Sequence, residues 1–173
     1  AFWTEVVNEA RDVPLDFHRS LRNAYDHPGF AVEEISFRSI AGMTLHGWFA
    51  YPEGARRAPA FLWIPPYGRE SLLPNAYGTR PGYASFSLNF FGHGAFHREE
   101  YVPARGYFAE GAAEASTFVF RRMFQDLLLA ARALQAQIEV DEDRIGAMGM
   151  SQGGGLSIWM GAWCPIIRAV VAD

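Results

Sequence analysis

The chain has 173 residues, half of them apolar and 15% aromatic, with a formal net charge of −4. That length holds one domain with a sizeable core, and the apolar fraction excludes a disordered polypeptide. A mildly acidic balance without any basic run argues against nucleic acid as a partner, and no window approaches the roughly 18 apolar residues of a membrane span.

Residues 4–11 and 15–25 read as two short helices separated by Asp12 and Pro14. His27-Pro28-Gly29 breaks that pattern. Val32, Ile35 and Phe37 among polar neighbours suit an edge or surface strand over 31–39. Ala41-Gly42 makes a turn, and Met43, Leu45, Gly47, Phe49 and Tyr51 alternate over 43–51, so the two runs form an antiparallel hairpin. After a loop from Glu53 to Pro59, Ala60-Phe61-Leu62-Trp63-Ile64 is a continuous apolar run of the kind found in a strand covered on both faces. Residues 83–89 form the next strand. A long loop rich in Gly, Arg and Glu follows to about residue 116, long enough to belong to the rim of a site.

The strongest helix is 117–137, with Phe120, Phe124, Leu127, Leu128, Ala131 and Leu134 at helical spacing on one face. An acidic loop over Val140 to Arg144 leads to a short buried strand at Ile145–Met148. A helix over Gln152–Trp163 and a last strand over Arg168–Ala172 complete the pattern. Strands alternating with helices beyond residue 60 imply parallel βαβ units. The single cysteine, Cys164, has no internal partner and reads as a small buried hydrophobe.

The most informative stretch is Gly149-Met150-Ser151-Gln152-Gly153, a Gly-x-Ser-x-Gly pentapeptide between a strand and a helix. Such a turn lifts a serine hydroxyl out at the top of a sheet, and small residues at 149 and 153 let the backbone bend tightly. A serine needs a base to take its proton and N–H donors to hold the oxyanion that its attack creates. The turn supplies one donor, the N–H of Gln152. The second is expected after an earlier strand, from Pro65-Pro66-Tyr67-Gly68; prolines have no N–H, which leaves Tyr67 or Gly68.

In these segments the chain resembles the acetyl xylan esterase and cephalosporin-C deacetylase family of α/β-hydrolases. Ala1-Phe2-Trp3-Thr4-Glu5 resembles the family's early Phe-Trp helix, and Leu45-His46-Gly47-Trp48 its second strand. Tyr67-Gly68 resembles the end of its His-Gly-Tyr oxyanion loop. Gly92-His93-Gly94 stands where the family has Arg-Gly-Gln-Gly. Phe120-Arg121-Arg122 with Asp126 is similar to its Tyr-Arg…Asp helix, and Gly149–Gly154 to its Gly-x-Ser-Gln-Gly-Gly turn.

The resemblance implies a three-layer α/β-hydrolase fold: a mostly parallel sheet with an N-terminal antiparallel hairpin, truncated before the last strands. It implies Ser151 as nucleophile, Tyr67 and Gln152 as oxyanion-hole donors, and a small ester or acetylated sugar as substrate, with no metal or organic cofactor. Two positions depart from the pattern: Pro65-Pro66 replaces His-Gly, and Phe91 and His93 replace an arginine and a glutamine. His93 is therefore a candidate for the substrate rim.

In this fold the triad runs Ser, acid, His along the chain. After Ser151 there is no histidine, and Asp173 is the only carboxylate. The chain is expected to be the N-terminal and central part of a longer hydrolase domain, inactive by itself and completed by a C-terminal segment or a second chain. A homo-oligomer, a cytoplasmic location and no membrane partner are the further expectations; because the chain starts at Ala1, a removed leader stays open. Two alternatives stand beside the esterase: a non-catalytic binding module of the same fold, and a serine peptidase of the prolyl-oligopeptidase type. Peptidases of that type usually carry an aromatic residue where Gln152 stands.

Overall fold

The computed structural model describes residues 2–21, 27–67, 78–90 and 107–173. Three helices, α1 (Phe2–Asp12), α2 (Val119–Gln135) and α3 (Gln152–Trp163), accompany seven strands. The strands are β1 (Phe17–Leu21), β2 (Phe30–Arg38), β3 (Thr44–Pro52), β4 (Ala58–Ile64), β5 (Ala84–Asn89), β6 (Val140–Gly149) and β7 (Ile167–Ala172). They form one sheet in the order β1-β2-β3-β5-β4-β6-β7. The expected hairpin is β2–β3, paired antiparallel from Arg38↔Thr44 to Phe30↔Pro52. Beyond it, β5, β4, β6 and β7 are mutually parallel, and β3 joins them antiparallel to β5. The sheet is therefore mixed, with three antiparallel and three parallel pairings.

Two expectations at the N-terminal side are corrected. Phe17–Leu21, read as part of a helix over 15–25, is a strand pairing antiparallel with β2. The reason is long-range. Phe17 stacks on Phe86 of β5 at 6.1 Å, and Arg19 forks onto two carboxylates, Glu33 at 2.6 Å and Glu139 at 2.9 Å. Tertiary contacts of this kind override local helix propensity. The Arg19 hydrogen bonds hold the Glu33 carboxyl below its usual range, while burial, with Glu33 beside it, pushes the Tyr51 hydroxyl up to about 12. Because β1 takes the outer position, β2 is not the edge strand it was expected to be. The third correction is in β6. Its acidic start, Val140–Arg144, belongs to the strand as an irregularity: Val140 pairs with Ala58, and the ladder resumes at Ile145 and Ala60.

The core lies between one face of the sheet and the three helices. Ala60, Leu62 and Ile64 of β4 and Ile145 and Ala147 of β6 meet Leu127, Leu134, Leu156 and Met160 there. All six residues proposed for the apolar face of α2 pack into this core. The flank of α2 beside this face is covered as well, by α1, which Gln125 and Arg132 contact. Trp3 sets its ring against Phe124 at 5.8 Å and Trp159 at 4.8 Å, and so joins all three helices. Arg132 donates to the carbonyls of Ala10 and Val13 at 2.9 and 2.8 Å, satisfying acceptors that the end of α1 would leave open.

The second helical layer does not fall among the described residues. The other sheet face carries Phe61, Met148 and Val171 along a groove of about 730 Å³, with Arg80 and Tyr83 at its margin. Among the described residues strand β7 pairs on one side only, and Arg168–Ala172 are exposed. None of the described helices is long and apolar enough to cross a membrane. Cys164 is buried and free, as its sequence setting implies.

Asp126, on α2, is wholly buried, and among the described residues neither carboxylate oxygen has a hydrogen bond of good geometry. Burial pushes its carboxyl up to about 7, with the Arg122 charge and the Ile40 backbone N–H pulling the other way. An acid raised in the folded state costs stability as pH climbs from its unfolded value, about 4, to its folded one, and the loss then levels off. Three units correspond to at most about 4 kcal/mol. Asp126→Asn should therefore flatten the fall in stability between pH 5 and pH 8. Urea unfolding of both proteins at the two pH values checks this; parallel losses in both would contradict it.

Candidate active site

The site grows out of the joint between β4, β6 and α3. Ile64 and Gly149 are register partners at the ends of two neighbouring parallel strands. The chain leaving Gly149 must reverse into α3 without striking β4, and the glycines permit it. A Cβ on Gly149 would lie 2.5 Å from the Gly153 carbonyl carbon and 2.7 Å from the Ile64 carbonyl oxygen. A Cβ on Gly153 would collide with that same carbonyl. The small residues at 149 and 153 thus have the steric role their spacing implied.

Between them, Ser151 is pinned in a backbone conformation that side-chain-bearing residues rarely adopt, φ 55° and ψ −118°. The turn is closed from several sides. The Gly153 N–H donates to the Met150 carbonyl at 2.9 Å, and the Gly155 N–H to that of Ser151 at 3.0 Å. The Ser151 N–H donates to Asp173 O at 2.6 Å, and the Asp173 N–H returns to the Gly149 carbonyl at 3.1 Å. The end of β7 therefore braces the bend. Ser151 itself is exposed, outside the core. Asp173 meets the site here through its backbone.

Gln152 opens α3 and is buried at 8% exposure. Tyr67 follows Pro65-Pro66 at the end of β4 and is half-buried. Because β4 and β6 are adjacent and parallel, Tyr67 and Gln152 emerge at the same end of the sheet. One residue that sequence reasoning missed connects them. The Tyr107 hydroxyl donates to Gln152 Oε1 at 2.7 Å, and its backbone N–H donates to Tyr67 Oη at 3.3 Å. The Tyr67 ring lies 4.5 Å from both the Tyr107 and the Phe108 rings. Nothing in the sequence around Arg105-Gly106-Tyr107-Phe108 distinguishes this tyrosine except its place in the overlong loop.

The alternative oxyanion donor Gly68 and the candidate rim residue His93 lie outside the described residues, as does His97. The described histidines are engaged elsewhere. His18 on β1 bonds Asp16 at 3.0 Å, His27 bonds Thr79 at 3.0 Å, and His46 on β3 lies 3.8 Å from Glu34. Strand β3 is three places from β6 in the sheet, roughly 14 Å at the usual strand spacing, too far for direct contact with Ser151. Among the described residues, no cluster of His, Cys, Asp or Glu is arranged to hold a metal ion.

Three substitutions test this geometry through urea unfolding. Gly153→Ala should lose several kcal/mol, on the order of 3, because the Ile64 carbonyl cannot move without breaking β4. Gly155→Ala, whose added methyl meets open space, should gain about 0.5–1 kcal/mol from helix propensity. Ser151→Gly should gain about 1 kcal/mol by releasing the backbone strain. A tolerated Gly153→Ala, or a destabilising Ser151→Gly, would contradict the arrangement.

A family model described as acetyl xylan esterase (AXE1) matches residues 1–173. Acetyl esterase Axe7A of Xylanibacter ruminicola is 20% identical over 184 residues, covering the whole of this chain and 42% of that protein. The solved acetyl xylan esterase of Paenibacillus sp. R4 superposes with a TM-score of 0.84 at 20% identity, over 98% of this chain and 56% of its own. Acetyl xylan esterase 1 of Thermoanaerobacterium sp. JW/SL YS485 gives 0.83 at 24% identity, over 99% and 56%. The chain thus spans about half the length of these relatives. With the whole of its length matched, the chain belongs to the acetyl xylan esterase (AXE1) family.

Proposed function

We propose that this chain carries the nucleophile and the oxyanion hole of a serine esterase that removes acetyl groups from small esters or acetylated sugars. The observation that carries the reading is Ser151 itself: an exposed serine, at positive φ, at a strand-to-helix turn that glycines keep tight. A backbone held in such a conformation marks a place where geometry is maintained at the expense of stability, as at functional sites. The relatives' names supply the acetyl group as the acyl part of the substrate.

In this reading, Ser151 Oγ attacks the acetyl carbonyl carbon and gives its proton to a base. The carbonyl oxygen becomes an oxyanion facing the N–H groups of Tyr67 and Gln152. Collapse expels the alcohol, which takes the proton, and leaves acetyl-Ser151. Water then attacks the acyl-enzyme by the same route and releases acetate. Each donor of the oxyanion hole is worth roughly 3–4 kcal/mol in the transition state. No metal or organic cofactor enters the scheme.

The base is proposed to come from polypeptide outside these 173 residues, as a C-terminal segment or a second chain; the bonds of His18 to Asp16 and of His27 to Thr79, and the place of His46 on β3, support this. Losing a triad member lowers turnover by on the order of 10⁴ to 10⁶. The isolated chain should therefore hydrolyse p-nitrophenyl acetate barely above background, and a complementing C-terminal portion should restore turnover. In the intact gene product, Ser151→Ala should abolish turnover, and a fluorophosphonate should label Ser151. Full turnover by the isolated chain would overturn the assignment of the base. Failure of the intact protein to label would favour a non-catalytic module of the same fold.

A further inference from the structure

We infer that Tyr107 is a positioning residue that locks the two halves of the oxyanion hole together; the inference rests on the roles proposed above for Tyr67 and Gln152. Those residues come from different strand ends, one after β4 and the other after β6. Their N–H groups must converge on a single oxygen within a few tenths of an ångström, since a misplacement of about 1 Å costs on the order of a hundredfold in rate.

Tyr107 touches both residues at once. Its hydroxyl donates to Gln152 Oε1 at 2.7 Å, its backbone N–H donates to Tyr67 Oη at 3.3 Å, and its ring lies 4.5 Å from the Tyr67 ring. The Gln152 side chain is thereby fixed at the first position of α3, one residue from the nucleophile.

The clamp also has a rigid support. Phe108, next in sequence, stacks on Tyr67 at 4.5 Å and 11° and on Phe120 of α2 at 5.3 Å and 23°. Phe120 meets Trp159 of α3 edge-on at 6.4 Å. An aromatic chain therefore runs from Tyr67 through α2 to the helix that carries the nucleophile turn. Aromatic pairs in this geometry contribute beyond their buried area, and they resist sliding because ring shapes must match. Tyr107 is held on this chain by its own contact with Phe108 at 5.9 Å. Its role is indirect: it acts on the oxyanion through the two residues whose N–H groups face it.

The test uses the intact gene product with p-nitrophenyl acetate and a boronic acid that mimics the tetrahedral intermediate. Tyr107→Phe keeps the ring and removes the hydroxyl that bonds Gln152. It should lower kcat about tenfold, leave KM within about twofold, and weaken boronic acid binding by the same factor as kcat. Gln152→Leu breaks the same bond from the other end and should reproduce that loss, and the double variant should fall no further than the worse single one. If Tyr107→Phe fails to fold, Gln152→Leu carries the test by itself. Unchanged kcat and boronic acid affinity would overturn the inference, and so would a raised KM at unchanged kcat. Ser151→Ala separates the two levels: if it stays active, the esterase reading fails; if it is dead while Tyr107→Phe is unimpaired, only the role of Tyr107 fails.

Discussion

At the end of β6 the backbone passes so close to the Ile64 carbonyl that neither Gly149 nor Gly153 has room for a methyl group. The closeness fixes three things together. It sets α3 against β4, it forces the intervening chain through a bend, and it leaves Ser151 at positive φ with its side chain outside the core. A serine placed this way has little to pack against and is held by backbone hydrogen bonds, its own to Asp173 and Gly155 and those of its neighbours. The strain is local, and the well-packed joint beneath it keeps it in place.

The rest of the core serves that joint. Trp3, Phe124 and Trp159 tie α1, α2 and α3 into one layer, and the layer presses on β4 and β6 through Leu127, Leu156 and Met160. At the far side, Arg19 links β1 and β2 to Glu139, just ahead of β6. Such a partly buried fork orders strands that pairing alone would leave free to fray, and it reaches the strand that leads into Ser151.

What the sequence revealed depended on how local its cause was. The β2–β3 hairpin followed from alternation and the Ala41-Gly42 turn, α2 from its 3.6-residue period, and the turn at Ser151 from two glycines flanking a serine between a strand and a helix. Phe17–Leu21 was misread because nothing in five residues announces a partner such as Glu139, far along the chain. The start of β6 was misread for a related reason: Asp141 and Arg144 look like loop residues, yet they bond each other at 2.8 Å beside a strand irregularity. Tyr107 was invisible because its meaning lies in Tyr67 and Gln152, forty and forty-five residues away. Asp126 stands in an Arg…Asp pattern, but its complete burial, with no hydrogen bond of good geometry among the described residues, is a tertiary fact. Local patterns announce turns and periods; long-range pairs do not.

The proposed esterase mechanism requires the amide hydrogens of Tyr67 and Gln152 to point at one oxygen bound through Ser151. A crystal structure of the phosphonylated protein measures this directly, because the adduct's phosphoryl oxygen stands where the oxyanion forms. The account predicts that oxygen at about 2.7–3.1 Å from both backbone nitrogens. A phosphoryl oxygen turned to solvent, or bonded by neither residue, would contradict it.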